Sequence, residues 1–284
     1  MELVKNDTQL AETKAQELEQ AMLKMNQVDC PVIHRFGPGT YMREVHMPTG
    51  AMVVGHHQNL EHTNIFLKGS MTLLCDGQVS EIQAPMIFAS KPGRKIAQIH
   101  DDCVWINVYP NIENEQDVEK LEAKFLTKSD TFMLSEETRN ALLLGNRKHD
   151  NTDFFDALTE MGLDKDIFQG VGHTIGLPFD GFKIKVSKSR IHGKGIFATA
   201  EIQSGEIIGP ALIKSQITVL KKYSNHSRYP NAKFIIGKDR NIDLIATERI
   251  FGCRGGFDGD EITVDYREAF KLDQEIIGGL KWQE

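Results

Sequence analysis

The feature that most restricts the fold is a series of short β-type runs between turn residues over residues 30–110. Such runs recur roughly every ten residues, which is the spacing of an all-β barrel or sandwich. Glycine and proline turns, such as those at 37–39, 48–50 and 91–93, separate them. The predicted strands lie at 41–47, 51–56, 64–67, 71–75, 86–89, 95–100 and 103–109. Because short antiparallel strands bury their apolar faces by closing on one another, the pattern predicts a jelly roll or closed barrel.

Helix-forming segments lie on both sides of this region. Residues 7–28 contain neither glycine nor proline, and their apolar residues recur at helical spacing. They predict an amphipathic helix that packs on its own domain or forms an oligomer contact. Three further helices are predicted between 112 and 172. The predicted domains are an N-terminal helix (1–29), a barrel (30–111), a helical connector (112–172) and a second β-rich domain (173–284).

Composition excludes several classes of protein. The net charge of −7 argues against a dedicated nucleic-acid binder, which needs a basic surface to neutralise phosphates. No run of about 18 apolar residues is present, so no membrane span is predicted. The four cysteines lack the paired spacing of a structural zinc site. With a polar N-terminal segment, they favour a cytoplasmic protein with free thiols.

Three motifs follow one another in the C-terminal third of the chain. Residues 189–198 (SRIHGKGIFA) carry two glycines between β-type runs, which would let the main chain approach a ligand. Residues 223–231 (YSNHSRYPN) cluster Asn, His and Ser before a proline, and residues 259–266 (GDEITVDY) lead from an acidic turn into a β-run. Taken alone, each is equally typical of a surface turn or a buried strand.

Together and in this order, the motifs resemble those of the SET domain, the fold of protein-lysine methyltransferases. The resemblance covers residues 173–284. It implies a β-rich, pseudo-knotted domain in which the C-terminal segment threads through a loop, an exception to the usual rule. It also implies S-adenosylmethionine (SAM) as cofactor, and a protein substrate with an accessible lysine as partner.

The same resemblance assigns roles to individual residues. Tyr266 would be the catalytic residue, placed where the methyl donor meets the lysine. The residues implied to contact SAM are His192, Gly193, Lys194, Gly195, Ile196, Asn225, His226 and Tyr266. Methyl transfer requires donor and acceptor to be aligned, and the lysine, whose pKa is about 10.4 in water, must lose its proton. An apolar channel would lower that pKa, and a tyrosine hydroxyl with nearby carbonyl oxygens would orient the amine.

The sequence also departs from the family pattern. Many members carry a tyrosine–glycine pair soon after the position of Ile208, where this chain reads Gly209-Pro210. The segment between there and Asn225 is short, and the tail lacks the cysteines that close the lysine channel through zinc. An alternative hypothesis is therefore a structural or interaction protein, such as a component of a phage particle or its assembly, in which both modules are scaffolds.

Residues 55–69 and 84–93 resemble a cupin, a small jelly roll that often holds one metal ion, and most closely the cupin-like domains of phage-encoded proteins. The resemblance implies a divalent transition metal. The implied ligands are His57, His62 and His100, with His56 or Glu61 in exchange. His56 and His57 cannot both face the lumen, because neighbours in a strand point to opposite faces. Three imidazoles suit zinc, iron, nickel or copper. A barrel without metal, and a metal-dependent oxygenase or isomerase, are the alternatives.

The sequence thus predicts a mainly β protein with a helical connector, an N-terminal cupin-like jelly-roll barrel and a C-terminal SET domain. The predicted function is SAM-dependent protein-lysine N-methylation with the cupin-like domain as accessory. The protein is expected to form homo-oligomers and to act in the cytoplasm, or in the host cytoplasm or virion if a phage encodes it.

Overall fold

A computed structural model describes residues 13–75, 77–146, 148–162, 174–178, 180–238 and 241–280. The chain divides into two units. The first comprises Met1–Ala141 and Cys253–Phe257, and the second comprises Leu142–Gly252 and Asp258–Glu284. The predicted domain boundary at 172/173 lies outside the described residues, as do the first twelve residues of the predicted N-terminal helix.

The first unit begins with helix α1 (13–22), which ends where the Gln27 side-chain amide donates to the Met22 carbonyl at 2.8 Å. Strands β1 to β10 follow along the chain. They are β1 (Val32–Gly37), β2 (Thr40–Met47), β3 (Met52–Val54), β4 (His57–Gln58), β5 (His62–Lys68), β6 (Ser70–Cys75), β7 (Gln78–Gln83), β8 (Met86–Ser90), β9 (Ile96–Ile99) and β10 (Cys103–Pro110). All of them except β4 form two antiparallel sheets, one in the order β1-β2-β10-β5-β8 and the other in the order β3-β9-β6-β7.

The two sheets face each other across one apolar core. Strand β10 buries every second residue, as alternation requires. Phe66 and Trp105 of the first sheet pack in the same cluster as Met71 and Ile99 of the second. Phe66 and Ile99 are almost fully buried. Two facing antiparallel sheets around one core form a jelly-roll barrel, the architecture that the sequence predicted.

A second aromatic core closes one end of this unit. Helix α2 (Val118–Phe125) starts at Asp117, whose carboxylate accepts backbone N–H groups of the first turn. Its Phe125 ring stacks on Tyr109 with centroids 4.5 Å apart, and the Tyr41 ring contacts both, at 5.7 Å from Tyr109 and 6.2 Å from Phe125. Strand β11 (Leu126–Thr127) then pairs with β4. The strand that follows the helix therefore lies beside His57, one of the predicted metal ligands.

Residues 253–257 belong to the first unit, although they lie far along the chain. The Cys30 N–H donates to the Cys253 carbonyl at 3.2 Å, and Arg254 forms an ion pair with Asp29 at 2.6 Å. Phe257 stacks on Phe132 of helix α3 (Asp130–Asn146) with centroids 4.8 Å apart.

The second unit contains α4 (Lys148–Glu160), two small sheets and a C-terminal helix. Its further elements are β12 (Ile184–Lys188), β13 (Lys194–Ala198), β14 (Ile207–Ile213), β15 (Gln216–Ile217), α5 (Val219–Tyr223), β16 (Asn225–His226), β17 (Ala232–Ile236), β18 (Ile242–Ala246), β19 (Glu261–Val264) and α6 (Tyr266–Leu280). The sheet orders are β12-β13-β19-β16 and β15-β14-β18-β17. Strand β19 pairs antiparallel with β13 and parallel with β16, so it brings the second and third motifs together.

Fully buried aliphatic side chains fill the core of the second unit. Ile196, Leu244 and Ile262 come from three different strands and lie in one cluster. Tyr266 packs at the margin of this cluster. Among the described helices of the whole chain, none combines the length and the apolar character needed to cross a bilayer.

Candidate functional site

The first motif forms a tight turn between β12 and β13. Gly193 has φ +49°, a left-handed conformation that glycine adopts without a steric penalty. A Cβ on Gly195 would collide with the Glu261 carboxylate, so the second glycine permits close packing. Gly193 is exposed and its neighbours His192 and Lys194 are half-buried, whereas Gly195 and Ile196 are buried. The turn therefore presents its main chain at the surface only near Gly193.

Asn225 ties the second motif to this turn. Its side chain is fully buried, and its Nδ2 donates to the carbonyls of His192 at 3.1 Å and Lys194 at 3.0 Å. The same nitrogen lies 2.8 Å from Oε1 of Glu261, which also accepts the Ser189 hydroxyl at 2.7 Å. One amide thus fixes the backbone of the first motif and donates a hydrogen bond to a buried carboxylate of the third.

Tyr266 and His226 complete the cluster. The Tyr266 hydroxyl donates to the Ser224 carbonyl at 3.1 Å, and the Tyr266 N–H donates to Nδ1 of His226 at 3.1 Å. Since Nδ1 accepts, the ring proton of His226 lies on Nε2, which donates to Asp153 at 2.9 Å. Burial, assisted by the negative charge of Glu261, raises the pKa of Tyr266 far above its usual value. The phenol therefore keeps its proton and acts as a hydrogen-bond donor.

Helix α4 packs against this cluster. The Phe154 ring stacks on His192 with centroids 5.3 Å apart and meets Tyr266 edge-on at 5.9 Å. Beside it, Asp153 accepts from Arg267 at 3.1 Å as well as from His226. Tyr266 is consequently only 5% exposed. Helix α4 lies within the predicted connector (112–172), and no pattern in the sequence indicated that its side chains contact the three motifs.

The ion pairs of Arg267 make the stability of the second unit depend on pH. Burial alone would raise the pKa of Asp153, but hydrogen bonds from Arg267 and His226 hold it below its usual value. The Arg267 hydrogen bond also lowers the pKa of Glu160, 2.6 Å away. A depressed carboxyl pKa stabilises the fold above the unfolded-state value of about 4, and that stabilisation is lost as pH falls below it.

We therefore expect Arg267→Gln to lower the urea concentration at the unfolding midpoint of the second unit at pH 7. The difference in midpoint between variant and wild type should be smaller at pH 4 and smaller still at pH 3. Urea unfolding at the three pH values measures this. A difference that stays constant across the range would contradict the assignment.

In the first unit, the structure corrects the predicted metal site. His62 is buried, and its Nε2 lies 3.2 Å from the Lys95 ammonium and 3.1 Å from the Asn64 side chain. Its Nδ1 bonds the Leu60 carbonyl at 2.9 Å. Both ring nitrogens are thus engaged by neighbouring groups, one of which is the Lys95 ammonium.

The other predicted ligands lie elsewhere. His100 follows the end of β9, is exposed, and bonds Thr72 at 2.8 Å. His57 pairs with Thr127, while its neighbour Gln58 points inward to Tyr109. Glu61 is exposed. Across the described residues, no group of three or more His, Cys, Asp or Glu side chains is arranged to hold a metal ion. His57, His62 and His100 do not form a ligand set, and exchanging in His56 or Glu61 does not create one.

The interior of the first unit instead carries basic groups. Arg43, His56 and Lys95 line one cavity together with Asn107. Arg43 was not among the predicted site residues, although strand alternation offers a signal for it. Along β2, Arg43 shares its parity with the buried Tyr41, so it had to point inward.

Known structures are similar to only part of this chain. No protein-family model matches the sequence, and neither does any curated protein. Among solved structures, KdgF from Halomonas sp. is 12% identical to this chain, with a TM-score of 0.25. The match covers 31% of this chain and 89% of the KdgF chain. The cupin domain of Schizosaccharomyces pombe Cnp3 is 18% identical, with 30% of this chain covering 66% of that one at 0.25.

A third similar structure is an RmlC-like cupin family protein with a double-stranded β-helix fold from Methanocaldococcus jannaschii. It is 16% identical, and 32% of this chain covers 95% of it at a TM-score of 0.25. Each of these likenesses is limited to about a third of this chain.

Proposed function

We propose that the second unit is a SAM-dependent protein-lysine N-methyltransferase of the SET type, with the cupin-like unit as an accessory domain. The observation that supports this most is the convergence of three separate motifs on Asn225 and Tyr266. Asn225 bonds the glycine turn, and the Tyr266 hydroxyl bonds the carbonyl of the residue just before Asn225. The order of strands supports it too, since β19 lies between β13 and β16.

The residues at the turn fit the proposed cofactor. Gly193 exposes its main chain at the surface, and Asn225 holds the carbonyls of its neighbours His192 and Lys194 in one conformation. In the proposal, these residues with Gly195, Ile196, His226 and Tyr266 hold SAM. When bound, SAM would supply a methyl group on a positively charged sulfur. A neutral lysine amine can displace that sulfur from the methyl carbon in line.

Tyr266 supplies the polar groups for this chemistry. Its phenol keeps its proton and donates a hydrogen bond to the Ser224 carbonyl at 3.1 Å. A hydroxyl and a carbonyl oxygen therefore lie next to each other in buried surroundings. A hydroxyl and a carbonyl in that arrangement can orient an amine, and buried surroundings favour its deprotonated form. The protein partner is a substrate that presents a lysine.

Isothermal titration of the full chain with SAM tests the proposal. We expect saturable binding at one site in the wild type, and binding close to the wild-type affinity in Tyr266→Phe, because the main-chain contacts remain. A folded wild-type chain that releases no binding heat, and gains no thermal stability with excess SAM, would overturn the proposal.

A second candidate is a structural or interaction protein in which the SET-like unit is only a scaffold. It is favoured by the burial of the implied site: Asn225 and His226 are fully buried, and Phe154 packs on both His192 and Tyr266. Under this hypothesis the cluster serves packing alone. The same titration separates the two, because a scaffold predicts no SAM binding in any variant.

A further inference from the structure

Two adjoining cavities lie within the first unit, and neither takes part in the proposed methyl transfer. The larger measures about 380 Å³ and the smaller about 110 Å³. Arg43, Val45, Val53, Gly55 and His56 line both. A volume of this order is in the range of small-molecule sites, which combine an apolar wall with a few polar groups.

Arg43 is a mostly buried cation with an incomplete set of partners. Its side chain is 15% exposed, and its contact with Glu122 joins Nε to Oε1 at 3.5 Å, the outer limit of a hydrogen bond. Among the described residues, Glu122 is the one hydrogen-bond partner of the Arg43 side chain. A buried guanidinium is costly unless its donors are used, and its fork matches a carboxylate.

His56 stands on the wall that the two cavities share. Its ring meets Phe132 edge-on with centroids 4.7 Å apart, and its Nδ1 is buried with no partner among the described residues. Burial, with the positive charge of Arg43, lowers the pKa of His56 to about 3, so the ring is uncharged at neutral pH. It can therefore offer a hydrogen bond without adding charge.

The remaining charges favour an anion. Lys95 lines the smaller cavity, close to His62. Glu19 lines the larger one, but Arg94 holds its carboxylate at 2.6 Å. The rest of the larger wall is mainly apolar: Met22, Leu23, Val28, Val32 and Phe132.

We infer that the two adjoining cavities together bind a small organic monocarboxylate. Its carboxylate lies against Arg43 and His56 on the shared wall, and its apolar body lies along the larger cavity. A polyphosphate does not suit it, since one guanidinium and a mostly apolar wall leave most phosphate oxygens without donors. The inference is independent of the proposed methyl transfer.

Calorimetric titration of the full chain with octanoate and phenylacetate, and with octanol as the uncharged analogue, tests it. We expect one saturable site for at least one of the two carboxylates in the wild type. Arg43→Gln should weaken that binding at least tenfold. Arg35→Gln, which removes a half-exposed arginine of the same unit, should leave it unchanged.

The comparison of carboxylate with octanol needs no variant, so it holds even if Arg43→Gln does not fold. We expect octanol to bind at least tenfold more weakly than octanoate. Failure of both carboxylates to bind the folded wild type, octanol binding as tightly as octanoate, or equal affinity in wild type and folded Arg43→Gln would each overturn the inference.

Discussion

Asn225→Ala is expected to lower the free energy of unfolding of the second unit by about 3 kcal/mol and to abolish SAM binding. The change removes three hydrogen bonds and leaves the carbonyls of His192 and Lys194 unpaired. It also takes a donor from the buried Glu261 carboxylate, which costs more than the loss of a neutral partner. Urea unfolding and calorimetric titration at a temperature where the variant remains folded measure the two effects.

Asn231→Ala is the matched control. Its side chain bonds only the backbone of β19, donating to the Glu261 carbonyl and accepting from the Thr263 N–H, both at 2.8 Å. It should lose stability as well but, once folded, bind SAM nearly as wild type does. If folded Asn225→Ala bound SAM with wild-type affinity, the amide would not organise a cofactor site.

Tyr266→Phe is expected to reduce methyl transfer by roughly 100- to 1,000-fold while changing SAM affinity by less than about threefold. The variant keeps the ring that packs on Phe154 and loses only the hydroxyl beside the Ser224 carbonyl. Transfer of a radiolabelled methyl group from SAM to a panel of lysine peptides measures the rate. The split between rate and binding is the signature of a residue that acts on the reacting groups.

Tyr109→Phe provides the control for this substitution. Tyr109 is likewise buried and its hydroxyl donates to Gln58 at 2.6 Å, but it belongs to the first unit. It should leave methyl transfer unchanged. Equal rates in wild type and Tyr266→Phe would remove Tyr266 from the mechanism.

Strands with strong alternation were predictable from the sequence. Strand β10 buries every second residue from Cys103 to Tyr109, and the runs at 41–47 and 103–109 identify β2 and β10. Strand β7 was not among the predicted runs, because it is largely exposed and polar and is held by its register with β6. Pairing to a neighbour, and not composition, makes it a strand.

The metal prediction depended on which way single residues point. A shift of one position reverses the face of a strand residue, so Ile99 is buried while the adjacent His100 is exposed. Motif spacing brought His100 near the expected ligand position but could not fix its direction. By the same alternation, Arg43 lies on the same face of β2 as the buried Tyr41, where it lines the cavity that His56 and Lys95 also line.

Contacts between segments far apart in sequence were beyond prediction. The Phe154 and Asp153 contacts with the three motifs depend on how α4 packs within its unit. The inclusion of residues 253–257 in the first unit likewise rests on tertiary bonds, such as that between Cys30 and Cys253. No local pattern in the sequence encodes either arrangement.

Hydrogen exchange of the full chain with and without SAM tests the central proposal most directly, because it both detects binding and locates it. We predict slower exchange in peptides covering residues 189–196 and 223–227 when SAM is present, with peptides of the cupin-like unit unchanged. Unaltered exchange in both segments at saturating SAM, or protection confined to the cupin-like unit, would contradict a SAM site at these motifs.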